Sequence, residues 1–193
     1  MTTMDKSRAH LFLTGATAAA TVLLAVTAAA TAAETPAMIT PGIAGEGPIH
    51  PLPSAAYQPQ KTATYKVVFA VTKPGDSPKE VSPSLLRVVR TVNLYAAAGV
   101  PLSHLKFVAI TYGPATGIML DDEHYKEKYG VANPNLPLVQ KLKAAGVDVA
   151  VCGQAVLENH FELTWVSPDV TVALSALTTI TVLQQQGYAL MPL

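Results

Sequence analysis

Apolar residues recur along this chain in two alternating patterns: short continuous runs and stripes at helical spacing. Tyr65-Lys66-Val67-Val68-Phe69-Ala70-Val71 is a β-branched run closed by the turn Lys73-Pro74-Gly75-Asp76, which predicts a strand. Ser82-Pro83 then reads as an N-cap with proline at the first helical position. Leu85, Val88, Val89, Val92 and Ala96 follow at helical spacing until Gly99 stops the helix. Leu105 to Thr111 predicts a second buried strand, ending at Tyr112-Gly113-Pro114. A short helix is expected around Asp121 to Lys128. A longer one carries Leu138, Val139, Leu142 and Ala145 up to Gly146. Val147 to Cys152 is a third strand, Val170 to Ala173 a fourth, and a helix from about Ser175 to Gln186 leads into Tyr188-Ala189-Leu190-Met191. Apolar strands alternating with amphipathic helices predict an α/β fold, a three-layer α/β/α domain with a mostly parallel sheet covered on both faces. The domain is expected at 63–193.

Before that domain the pattern changes twice. Between Arg8 and Glu34 there is no charged residue. Lys6 and Arg8 precede an apolar stretch from Leu11 to Val26, and Ala30-Thr31-Ala32 offers small residues where a signal peptidase reads. Residues 1–32 are therefore expected to be a secretory signal peptide, and the protein to be exported, periplasmic or secreted. Membrane attachment is expected only if that segment is retained as an anchor. Residues 33–62 carry Pro36, Pro41, Pro48, Pro51, Pro53 and Pro59, which predicts an extended Pro-rich linker, partly laid on the domain or on a neighbouring subunit.

Composition narrows the function classes. Only 13% of residues are charged, against roughly 25% in an ordinary globular domain. The formal net charge is 0 and no basic run occurs, which excludes a nucleic-acid grip that neutralises many phosphates. Removing the signal segment accounts for little of the low charge. Strands buried on both faces and subunit contacts are expected to account for the rest.

The chain has one cysteine, Cys152, so an intramolecular disulfide is impossible. In an oxidising compartment a lone cysteine is buried and inert, paired between chains, or a reactive thiol. Cys152 ends a predicted strand, where ligands gather in open parallel sheets. Gly153-Gln154-Ala155 after it can begin a helix whose N-terminus favours a thiolate. A small buried hydrophobe is the competing reading.

The segment Leu142-Lys-Ala-Ala-Gly146-Val-Asp-Val-Ala-Val-Cys152-Gly-Gln-Ala resembles the central motif of the DsrE/DsrF-like proteins. The tail from Ser175 through Gln184 to Gly187-Tyr188 is similar to that family's closing helix and strand, and the Lys66-Val67-Val68-Phe69 strand fits its opening. The resemblance implies a five-stranded parallel sheet, subunits assembled as trimers or hexamers, and a cysteine that carries sulfur as a persulfide. Cys152 would be the catalytic residue of a sulfur carrier or relay, exchanging sulfur with a donor or acceptor protein. Tyr112, Gly113, Gly153 and Gln154 are the candidate substrate-binding residues around it. Tyr112 stands where many exported relatives have His. The alternatives are a non-enzymatic oligomeric or ligand-binding module with a structural cysteine, and an interchain disulfide through Cys152.

Other candidates are weaker. Asp121-Asp122-Glu123-His124 is the densest polar cluster, but neighbours in sequence do not face one another on a helix, and acids suit a helix start. The remaining histidines show no ligand spacing, and no nucleotide-binding or nucleophile-elbow motif occurs, so neither a cofactor nor a metal is expected. His160, eight residues past Cys152, reads as a surface histidine. Phe161 and Trp165 read as core or subunit-contact residues.

Overall fold

In the computed structural model, which describes residues 35–193, the apolar runs form five strands and the striped segments five helices. The signal peptide expected at 1–32 lies outside the described residues. In chain order the elements are β1 Tyr65–Val71, α1 Pro83–Ala97, β2 Leu105–Thr111, α2 Asp122–Tyr129 and α3 Leu136–Ala144. They continue as β3 Asp148–Cys152, α4 Gly153–Glu158, β4 Thr171–Ala173, α5 Ala176–Gln185 and β5 Ala189–Pro192. The sheet order is β4-β3-β2-β1-β5, and every pairing is parallel. The expected five-stranded α/β fold is the one observed.

The order of the strands dictates where the helices go. From β1 to β4 the chain steps in one direction, and right-handed crossovers put all the intervening helices on one face. There Leu85, Val88, Val89 and Val92 of α1, Leu138 and Leu142 of α3 and Val156 of α4 pack on Val67, Phe69, Phe107, Val149 and Val151. The four α1 residues are fully buried, and each contributes about 1.5–3 kcal/mol of burial. From β4 the chain reverses across the whole sheet to β5, so α5 lies on the other face. Its Ala176, Ile180 and Leu183 cover Val68, Val108, Ile110, Ala150 and Cys152. The two outer layers are thus unequal: several helices on one side and α5 on the other.

Local starts and stops follow the sequence signals. The Ser82 side chain accepts the Leu85 N–H at 3.2 Å, with Pro83 opening α1. Asp121 caps α2 by accepting the His124 N–H at 2.8 Å, and Ser175 caps α5 by accepting from Leu177 at 3.2 Å. Thr35–Leu193 form one unit, because part of the proline-rich stretch is built into it. Ile39 and Ile49 exchange backbone hydrogen bonds, and Ile43 and Ile49 are buried. Asn93, buried on α1, holds this loop by four contacts. Its Oδ1 accepts from the Gly42 and Ile43 N–H groups at 2.9 and 2.8 Å, and its Nδ2 donates to the Glu46 and Gly47 carbonyls at 2.7 and 2.9 Å. Gly47 lies so close to α1 that a Cβ would stand 2.9 Å from the Arg90 backbone nitrogen.

Candidate functional site

Cys152 is the last residue of β3 and the N-cap of α4. Because β3 is flanked by β2 and β4, its carboxyl end sits inside the sheet rim. Sγ accepts the Ala155 N–H at 3.4 Å, and the Ser175 hydroxyl oxygen lies 3.9 Å away. The cysteine is 6% exposed and belongs to the apolar cluster under α5. α4 has only six residues, so the favourable charge at sulfur comes from that one N–H rather than from a long helix dipole.

The neighbours expected from the sequence fall into distinct roles. Tyr112, half-buried at the end of β2, packs against the same cluster as Cys152. Gly113 adopts φ +61° and opens a 3₁₀ turn over Gly113–Met119, a left-handed position that glycine takes without strain. Gly153 is buried where α4 meets β4: a Cβ there would stand 2.8 Å from the Ala173 carbonyl oxygen. Close packing alone explains this glycine. Gln154 is exposed and its Nε2 donates to the Leu174 carbonyl at 3.4 Å, on the turn that leads to α5. Tyr112 and Cys152 therefore share the cluster under α5 at the β2 and β3 ends, while Gly153 and Gln154 lie against β4 and its following turn.

Sequence reasoning treated Ser175 only as a helix start. The structure places its hydroxyl within hydrogen-bond reach of the sulfur, held there by its capping bond to Leu177. His160 is exposed and lines a separate cavity beyond the far end of α4. Asp121 and His124 pair with each other, Nδ1 to carboxylate oxygen at 2.8 Å. Among the described residues no three His, Cys, Asp or Glu side chains stand together as a metal site.

This strand–cysteine–helix unit and its five-stranded frame can be set beside known proteins. The family model described as the DsrE/DsrF-like family matches residues 65–193, from the first residue of β1 through the end of β5. The chain belongs to the DsrE/DsrF-like family. A solved structure of a protein of unknown function from Methanobacterium thermoautotrophicum shares the fold, with a TM-score of 0.50 and 20% sequence identity. That match covers 67% of this chain and 99% of the other. No curated protein matches. The DsrE-like match begins after the proline-rich stretch, so the Asn93-bound loop lies outside the family model while packing on its first helix.

Proposed function

We propose that this DsrE-like protein is an exported sulfur carrier in which Cys152 holds sulfane sulfur as a persulfide. The family's link to sulfur relay motivates the reading. The observation that carries it is Sγ at the end of β3, accepting the Ala155 N–H. That N–H favours negative charge on Sγ, which the thiolate carries as nucleophile in loading and regains as leaving group in unloading. In the loading step the thiolate attacks the sulfane sulfur of a persulfide or thiosulfate donor, and the donor thiolate or sulfite leaves. In the unloading step an acceptor thiolate attacks the outer sulfur and Cys152 departs as thiolate. Neither step needs an oxidant.

Burial sets a condition on access. A donor reaches Sγ when the β4–α5 turn carrying Ser175 moves aside. Assembly into a homo-oligomer belongs to the same proposal. From Val170 to Leu193 the chain carries no charged side chain, yet Leu174 is 72% exposed and Leu177 80% exposed. An uncharged surface with large apolar side chains is what a subunit contact needs.

The test is intact-mass spectrometry of the mature protein after incubation with thiosulfate or polysulfide. A gain of about 32 Da, one sulfur, is expected on the wild type and not on Cys152→Ser. A folded wild-type protein that takes up no sulfur overturns the reading. The 6% exposure of Cys152 favours a second reading, a ligand-binding or oligomeric module with a structural cysteine. In that case the thiol resists alkylation until the protein is denatured.

A further inference from the structure

We propose that the cavity between α2 and the α4–β4 connection binds a small aromatic carboxylate. The cavity has a volume of about 330 Å³, the small end of the range for ligand sites. Its apolar wall is Leu120, Phe161 and Trp165, and its polar rim includes His124, His160 and Lys128. Cys152 does not line it, so the inference is independent of the sulfur reading.

Two features set this cavity apart from an incidental hollow. The first is the fixed imidazole of His124. Asp121 is a carboxylate and only accepts, so the contacts of 2.8 and 2.9 Å to its two oxygens put the proton on Nδ1. The ring also stacks on Trp165, with centroids 4.8 Å apart and planes 14° from parallel. Both its tilt and its tautomer are therefore set by protein contacts before any ligand arrives.

The second feature is the residue that ends α4. Phe161 N–H bonds the Val156 carbonyl at 3.1 Å and His160 N–H bonds the Leu157 carbonyl at 2.9 Å. That pair of bonds closes a helix through a left-handed residue, a position that favours glycine. Gly99, Gly130, Gly146 and Gly187 follow α1, α2, α3 and α5 with positive φ. After α4 the residue is His160, at φ +61°. A side chain kept where the other four helices dispense with one points to a use for the imidazole, and its place is the rim of this cavity.

The ligand class follows from the lining. Lys128 Nζ stands 5.5 Å from the Phe161 ring centroid and makes no ion pair among the described residues. It and His160 supply donors for a carboxylate, while Leu120, Phe161 and Trp165 supply an apolar wall against which the ligand's body packs. Glu127 on the same rim opposes a second negative charge, which restricts the ligand to a monoanion.

Trp165 is the only tryptophan in the chain, so its fluorescence reports on this cavity directly. Titration with benzoate is expected to give a saturable change, and benzamide, uncharged and of the same shape, to bind about tenfold more weakly. His160→Gly is expected to raise the melting temperature by removing the left-handed strain, and to weaken benzoate about tenfold. Lys128→Gln, at an exposed position, gives up only its contact with Phe161, so the melting temperature is expected to fall by no more than about 4 °C while benzoate is weakened similarly. No saturable response to benzoate, equal binding of benzamide, or undiminished binding in both variants would each overturn the proposal.

Discussion

Replacing Asn93 by alanine tests how the proline-rich stretch is joined to the domain. The substitution removes two acceptor contacts to Gly42 and Ile43 and two donor contacts to Glu46 and Gly47. Each hydrogen bond contributes about 1 kcal/mol net, and more where its partner is left buried. The Ile43 N–H stays buried, whereas water can reach the half-buried Glu46 and Gly47 and replace part of the loss. A net destabilisation of about 3 kcal/mol follows. For a domain of this size each kcal/mol lowers the melting temperature by about 2–4 °C. The expected fall is therefore roughly 6–12 °C by calorimetry or circular dichroism. Amide exchange at Ile43 and Ile49 should accelerate more than exchange in β2. Asn93→Asp separates geometry from chemistry: the carboxylate still accepts from Gly42 and Ile43 but faces the Glu46 and Gly47 carbonyls without a donor. It should be at least as destabilised as Asn93→Ala. A loss below about 1 kcal/mol in both variants would refute the claim that this side chain ties the loop to α1.

Gly153→Ala should destabilise the fold by about 2 kcal/mol, because the Cβ drives α4 against the Ala173 carbonyl. Maleimide should then label Cys152 faster than in the wild type, as the α4–β4 seam opens. Leu177→Asp changes an 80% exposed side chain, so monomer stability should move by less than about 0.5 kcal/mol. Light scattering should nevertheless show a smaller particle than the wild type; an unchanged mass removes α5 from the proposed subunit contact. Desolvation by burial raises the pKa of Tyr95, Tyr125 and Tyr129, with smaller contributions from Tyr65 on Tyr95 and from Tyr129 on Tyr125. Their folded pKa lies above the unfolded value near 10, so this stabilisation is present below that pH and is lost as pH rises through the folded values. Urea midpoints measured across the alkaline range should fall together with the growth of tyrosinate absorbance, and a flat midpoint would contradict the sign.

The strands and long helices were legible because burial imposes a period. Val67, Phe69 and Val71 face one layer while Val68 faces the other, so β1 had to be apolar from Val67 to Val71. The α1 stripe had to recur at three and four residues. The polar contacts that join distant segments left no such trace. Asn93 follows Val92 on the buried face of a helix and looks in the sequence like an interruption. Only the loop at 42–47, some 50 residues earlier, explains it. Asn133 and Asn135 were passed over for the same reason. Asn133 Nδ2 donates to the Ile118 and Leu120 carbonyls, and Asn135 Oδ1 accepts the Ser82 N–H at 2.8 Å. At the candidate site, the position of Cys152 at a strand end was readable from the Val147–Cys152 run. Ser175 was not readable as its neighbour, because that proximity depends on β4 pairing with β3.

The reversal of the chain after β4 also fixes the order in which the sheet can be completed. β1 lies inside the sheet, but its pairing with β5 joins residues about 120 positions apart. Until Ala176–Gln185 are made, Val68, Ile110 and Ala150 lack the helix that covers them, and until Ala189–Pro192 follow, β1 presents an open edge. A chain that emerges from its N-terminal end cannot close this domain early. It stays an unfinished sheet, slow to condense because its last pairing is its longest-range one. Closure of the fold therefore waits on its last residues, and the β1 edge is the last part of the sheet to gain its partner.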